Sequence, residues 1–230
     1  QWPVQHGLLG WVAFLPERNL HVIALPFRER FTARPLTSVG LSRSGLFDWT
    51  PLLDRFTRRP SLLLPSNLTG SPYSSAIGGD AGQESYDQID PVIDRLIRRF
   101  KAPQASSYTY FYYPRIDSTS HDHGPSSAAV RHAVEALDAG LARLHQGLEG
   151  RARIVVSADH GAIDVDAEHK AVIAPSHHSF TLLRTPPSGE PRAPLFHVRA
   201  GMADEFASTF REQFGERFAL LTAREVIEME

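Results

Sequence analysis

Two short stretches of this sequence pair a carboxylate with an imidazole directly after an apolar run. The first is Asp117-Ser118-Thr119-Ser120-His121, downstream of the aromatic run Tyr108 to Tyr113. The second is Asp159-His160-Gly161, downstream of Ile154-Val155-Val156-Ser157-Ala158. A carboxylate oxygen with an imidazole nitrogen suits zinc, and also manganese or iron. Asp117 and His121 are four residues apart, so a helical turn over Ser118 to His121 would place both on one face. Asp159 and His160 are adjacent, and both can serve one ion only from an irregular turn, which Gly161 makes accessible. Each stretch alone also fits a structural role. Asp117 would then be a solvated helix-start residue beside a surface His121, and Asp159 a turn residue capping the next element. The two in this order, with one long helix between them, form the more specific signal.

The elements around these residues follow from patterning. Short apolar runs predict strands at His21 to Phe27, Ser61 to Pro65, Tyr108 to Tyr113, Arg153 to Ala158 (buried), Pro194 to Ala200 and Phe218 to Leu221. Helical spacing predicts helices at Leu46 to Phe56, from Asp90-Pro91 onward with Asp90 as N-cap, at Ser126 to Leu148, and at Ala203 to Phe214. Val130, Val134, Leu137, Leu141 and Leu144 should form the buried face of the longest helix. Ser66 to about Gly82 reads as a long Gly/Ser-rich loop, either a substrate-side loop or a plain surface loop. Thr185-Pro186-Pro187-Ser188-Gly189-Glu190 reads as a turn. Strands alternating with helices predict an α/β fold, a mostly parallel sheet with helices on both faces. In such a sheet ligands collect outside the carboxyl ends of the strands, where both carboxylate–imidazole pairs lie.

Bulk composition narrows the chemistry. The chain has 230 residues, a net charge of -2 and no Cys. Thiol nucleophiles, thiolate metal sites and disulfides are excluded, so metal ligands must be His and carboxylates. The charge indicates no nucleic-acid-binding surface. No apolar run approaches the ~20 residues of a membrane span, and no signal peptide is visible. The sequence starts Gln1-Trp2-Pro3 without Met and closes with Thr222 to Glu230, read as a Thr222 N-cap and a helix cut short; both ends read as cuts through a fold.

With these residues in view, the chain resembles the type I phosphodiesterase / nucleotide pyrophosphatase family of the alkaline phosphatase superfamily, and is closest to its bacterial stand-alone members. Asp117-Ser118-Thr119-Ser120-His121-Asp122-His123-Gly124-Pro125 is similar to that family's Asp-x-x-Gly-His-x-x-Gly-Pro. Ser157-Ala158-Asp159-His160-Gly161 is similar to its Ser-Asp-His-Gly, with Ala158 inserted, and Trp2 to Gly10 resembles the segment after its nucleophile. The resemblance implies a metal-dependent phosphodiester or pyrophosphate hydrolase with two divalent ions, zinc or alternatively manganese, acting on a small-molecule phosphodiester or nucleotide. Asp117 and His121 would hold the ion that activates the hydrolytic water, and Asp159 and His160 the ion that activates the nucleophile. The family's nucleophilic Thr, an Asp on its first strand and a late His have no counterpart here. Residues 1–230 would therefore be a catalytic-domain fragment lacking the nucleophile-bearing N-terminal part and the last metal ligand. Trp11 stands where many members carry a phosphate-binding Asn, which implies stacking or packing instead. His177, His178 and His197 read as surface or loop histidines. The alternatives are an inactive fragment or metal-binding relative, and a phosphomonoesterase of the same superfamily.

Overall fold

The computed structural model describes residues 10–102 and 106–229. Of the segment Trp2 to Gly10 that resembles the post-nucleophile stretch, all but Gly10 lies outside the described residues. The chain is α/β and divides into two compact units. One takes in residues up to Ala24, Arg28–Leu36 and Ala171–Glu230; the other takes in Leu25–Phe27 and Thr37–Lys170.

The second unit carries both carboxylate–imidazole pairs. Its sheet has three parallel strands, β4 (Arg59–Pro65), β5 (Gly82–Tyr86) and β6 (Ser107–Phe111), in the order β5-β4-β6. Central β4 buries Leu62, Leu63 and Leu64 consecutively, as a strand covered on both faces must. Leu63 packs into a core with Tyr86, Val92, Ile93, Leu96, Leu144 and Leu148, whereas Leu62 and Leu64 pack with Leu53 on the other side. Helix α1 (Pro72–Gly78) interrupts the predicted Gly/Ser loop. Ser71 caps it by accepting from the Ser74 amide, and Pro72 stands at its start.

Helices α2 (Ile89–Lys101) and α4 (Ala128–Leu148) cover the Leu63 face. Helix α2 begins slightly ahead of the expected Asp90-Pro91 start, and Pro91 still falls in the first turn, where its missing N–H costs nothing. The two helices meet closely at Gly147, where a Cβ would lie 2.7 Å from Ile97 Cδ1. Arg143 of α4 clamps the pair by donating to Asp90 (2.8 Å) and Asp94 (3.2 Å). Val134, expected on the buried face of α4, is 45% exposed.

Two expected elements of this unit differ, and one strand is unexpected. Leu46 to Phe56 forms turns and a short 3-10 helix, Leu53–Arg55, rather than an α-helix. Pro51 removes a donor and biases Thr50 away from the helical region, and Phe47 instead packs against Trp49 and Tyr73. β5 was not anticipated. Residues 153–158 are irregular, with Val155 80% and Val156 67% exposed, and only Ala152 and Ile154 reach the core. Their β-prone composition finds no partner strand among the described residues, and composition without pairing does not make a strand.

The first unit is built on a five-stranded antiparallel sheet, an addition to the expected parallel one. Its order is β3-β2-β1-β7-β8: β1 (Val12–Leu15), β2 (Leu20–Ile23), β3 (Arg28–Glu29), β7 (Leu183–Glu190) and β8 (Ala193–Val198). The predicted turn Thr185 to Glu190 lies inside β7. Its two prolines donate no hydrogen bonds, and the register shifts on either side of Thr185 accommodate them. Phe218 to Leu221 forms no strand: the amide of Phe218 donates to the Phe214 carbonyl in a turn beyond α6 (Ala203–Phe214), and α5 (His178–Thr181) precedes β7. Phe206 and Phe210 of α6 pack with Leu182 and Leu183. Helix α7 (Ala223–Glu228) opens on the expected Thr222 cap, a full capping box with Glu225.

Ile93 is fully buried between the sheet and α4, so Ile93→Ala should lower unfolding free energy by about 2–5 kcal/mol. Val134→Ala, on the exposed side of α4, should change it by less than about 0.5 kcal/mol. Urea denaturation of the two variants checks both values.

Candidate metal centre

Strand β6 leads through Tyr112, Tyr113 and Pro114 into helix α3 (Arg115–His123). Two bonds fix that exit. The Tyr112 amide donates to the Leu63 carbonyl of β4 at 3.1 Å, and the Tyr86 hydroxyl at the end of β5 donates to the Tyr112 carbonyl at 2.6 Å. Burial pushes the Tyr86 phenol far above its ordinary range, so it stays a donor. Asp117 then falls in the first turn of α3, where the helix dipole favours a carboxylate, and His121 falls in the last.

The expected helical turn is therefore present, and Asp117 and His121 share a face, with Oδ1 3.5 Å from Nε2. His160 Nε2 lies 3.9 Å from the same Asp117 Oδ1 and 3.7 Å from Asp159 Oδ2. The four sequence-predicted residues thus meet as a chain of contacts, His121–Asp117–His160–Asp159. Donors bound to one zinc at about 2.0–2.2 Å stand only a few ångströms apart, so each neighbouring pair fits a shared cation. A chain of donors, rather than one closed cluster, suits adjoining ions.

The second pair is oriented by its own backbone. The His160 amide donates to Asp159 Oδ1 at 3.0 Å, leaving Oδ2 toward the imidazole. His160 Nδ1 lies 2.9 Å from the Gly161 carbonyl, which can only accept. The proton of the neutral ring therefore sits on Nδ1, and the Nε2 lone pair faces Asp117 and Asp159, as a metal ligand requires. Gly161 lies in irregular backbone, as expected, without a left-handed φ. Gly124, which ends α3, has φ +82, and a Cβ on it would meet Asp164 Oδ1 at 2.8 Å.

These groups are open to solvent: the side chains of His121 and Asp159 are each 77% exposed. Exposed ion pairs contribute about 0–1 kcal/mol, so the cluster has little value as a structural brace. Tyr110 and Tyr112, on one face of the strand, form an aromatic wall beside it, with rings 7° from parallel and centroids 6.4 Å apart. Burial is the main cause that raises both phenols, and the Asp159 charge adds to it, with Asp117 also acting on Tyr112. Both stay protonated donors at neutral pH. The sequence marked them only as strand residues; their alternation with Phe111 was the signal that they share a face.

Other candidates lie elsewhere. His177 caps α5 by accepting from the Ser179 amide, and His178 lies 3.0 Å from Glu205. His197 is a strand residue of β8, half-buried against Ser188, and not a surface or loop histidine. Trp11 is 47% exposed. Among the described residues, Asp166, Glu168 and His169 alone place three donor atoms within 4.8 Å of one another; all are exposed, Asp166 directly before the short turn Ala167–His169 and the other two on it. The sequence reading did not single them out.

Gly124→Ala should be destabilising by about 1–3 kcal/mol, because it combines a disfavoured φ with a collision against Asp164. A urea midpoint equal to that of the parent would show that Asp164 yields freely.

A family model described as type I phosphodiesterase / nucleotide pyrophosphatase matches residues 38–219, a span that contains all four donors. No solved structure matches the chain. With most of its length matched, the chain belongs to the type I phosphodiesterase / nucleotide pyrophosphatase family of the alkaline phosphatase superfamily, whose members are generally divalent-metal-dependent hydrolases.

Proposed function

We propose that the chain carries the metal-binding middle of a nucleotide-pyrophosphatase-type phosphodiester hydrolase, with Asp117, His121, Asp159 and His160 holding two divalent ions, zinc or alternatively manganese. The observation that carries this is the contact chain His121–Asp117–His160–Asp159 beside the exit of a parallel strand. Ions bound there would supply positive charge against phosphoryl oxygens and lower the pKa of a coordinated hydroxyl. The chain's own residues prepare that site. Asp117 is shared between both imidazoles, the Gly161 carbonyl holds the His160 tautomer, and the Tyr110 and Tyr112 phenols stand as neutral donors next to the anionic side chains. The substrate class is a small phosphodiester or nucleotide pyrophosphate.

The nucleophile is proposed to be a Thr outside residues 1–230, forming a covalent phospho- or nucleotidyl-threonine, with a further Asp and a late His completing the ion sites. Exposure of the β-prone stretch Val155-Val156 directly before Asp159 supports this reading, since such a stretch is what a further strand would cover. On this reading residues 1–230 form an incomplete catalytic domain.

Two measurements test the proposal. Elemental analysis should find zinc in the protein after equilibration with the metal, and Asp117→Ala or Asp159→Ala should lower it; unchanged metal in a variant removes that residue from the ligand set. Hydrolysis of a chromogenic phosphodiester should be slow with residues 1–230 alone and rise when the chain is extended upstream. In the extended form either substitution should cut turnover by about 100-fold or more. Full turnover by residues 1–230 alone would show that the nucleophile lies within them.

A further inference from the structure

The five-stranded sheet of the first unit consists of two hairpin systems joined at one seam. On one side stand β3, β2 and β1, and on the other β7 and β8. Among the described residues the backbone register across this seam is one pair, Val12 with Gly189, whereas β1 and β2 share four pairs from Val12–Ile23 to Leu15–Leu20. Side chains supply the rest of the junction. His21 of β2 is 4% exposed, and its contacts to the Pro186 carbonyl (2.9 Å) and Thr185 Oγ1 (3.4 Å) both run through Nε2. Arg30 Nη1 donates to the Pro187 carbonyl at 2.6 Å. Phe14 of β1 is held between two imidazoles, 4.7 Å from the His21 ring and 4.9 Å from the His197 ring of β8.

We propose that the His21–Phe14–His197 stack is an acid-sensitive latch: with both imidazoles neutral it closes the seam between the two hairpin systems, and on protonation it releases it. The chemistry of the contacts requires this polarity. A carbonyl only accepts, so neutral His21 carries its proton on Nε2, and a second proton must go to Nδ1 within the buried cluster. The His197 ring lies 6.5 Å from the His21 ring, and its Nε2 is 2.8 Å from Ser188 Oγ of β7.

The charged groups around the stack are mostly cationic. Arg184 of β7 lies over the Phe14 ring at 5.5 Å, and Arg30 lies over Phe31, whose ring meets His21 edge-on at 5.5 Å. Glu29 of β3 is the acid that favours a charged His21, but its carboxylate is occupied by the Thr32 hydroxyl and amide and by the Phe31 amide. Protonating both rings would gather three positive charges, those of His21, His197 and Arg184, around the Phe14 ring, with Arg30 a fourth over the neighbouring Phe31.

Burial is the largest influence holding both imidazoles below their ordinary range. Arg30 adds to it at His21, where the Pro186 carbonyl and Glu29 pull the other way, and His21 and Arg184 add to it at His197. The unfolded chain therefore takes up protons first. The stabilisation is complete above an ordinary histidine pKa of about 6.5 and is lost as pH falls below it.

Amide hydrogen exchange on the whole chain at pH 7.5 and 5.5, corrected for the intrinsic pH dependence, tests the latch. The amides of β4 and β6, in the other unit, serve as the internal reference. Protection in β1, β2, β7 and β8 should fall about tenfold or more relative to that reference, and His197→Gln, which keeps a polar partner for Ser188 without a titrating ring, should reduce the fall. A titration of the ring protons by NMR reads the parent directly: His21 and His197 should titrate below the ordinary histidine value of about 6.5. Equal loss of protection in both units, or rings that titrate at or above that value, would overturn the proposal.

Discussion

Everything at the candidate metal centre depends on where the chain leaves β6. That point is held by a buried phenol: the Tyr86 hydroxyl on the Tyr112 carbonyl, with the Tyr112 amide on Leu63. Three parallel strands thus converge on one residue, Tyr112. A buried neutral hydrogen bond contributes only about 1 kcal/mol, but an unmet partner in the same place costs about 1–3 kcal/mol. The exit of the strand, and with it the first turn of α3, has little freedom to wander. Asp117 inherits that rigidity.

Rigidity at the backbone is combined with exposure at the side chains. The imidazoles and carboxylates lie at the open end of the sheet, where their mutual attraction is screened by water. Little stability comes from them there, and their orientation is fixed from behind. The Gly161 carbonyl does this for His160, and helix geometry does it for the Asp117–His121 pair. Membership in a hydrolase family whose matched span contains all four residues accords with that division of labour.

Much of this was legible in the sequence, for identifiable reasons. The spacing of Asp117 and His121 declared a helix face, and α3 has it. Helix α6 and the Thr222 cap of α7 lie where periodicity and capping chemistry placed them. What was not legible depended on partners distant in the chain. An apolar, β-branched run carries no information about whether a neighbour exists to pair with it. Residues 153–158 therefore read as a buried strand, although among the described residues no strand covers Val155 and Val156. Pro186-Pro187 read as a turn because prolines cannot serve a regular ladder, yet their carbonyls accept from His21 and Arg30 within β7. Tyr110 and Tyr112 read as strand formers, and their place beside Asp159 appears only once the second pair folds back toward β6.

The bare stretch Arg153 to Ala158 also has a colloidal side. Exposed, β-prone and largely apolar, it is a template on which a second chain can add a strand. Its guards are the charges at its two ends, Arg151 and Arg153 at its start and Asp159 after it. One of those guards is also a proposed ligand. If Asp159 binds a cation as proposed, the charge at that end of the stretch would be neutralised, and the same carboxylate would then bear on self-association as well as on metal loading.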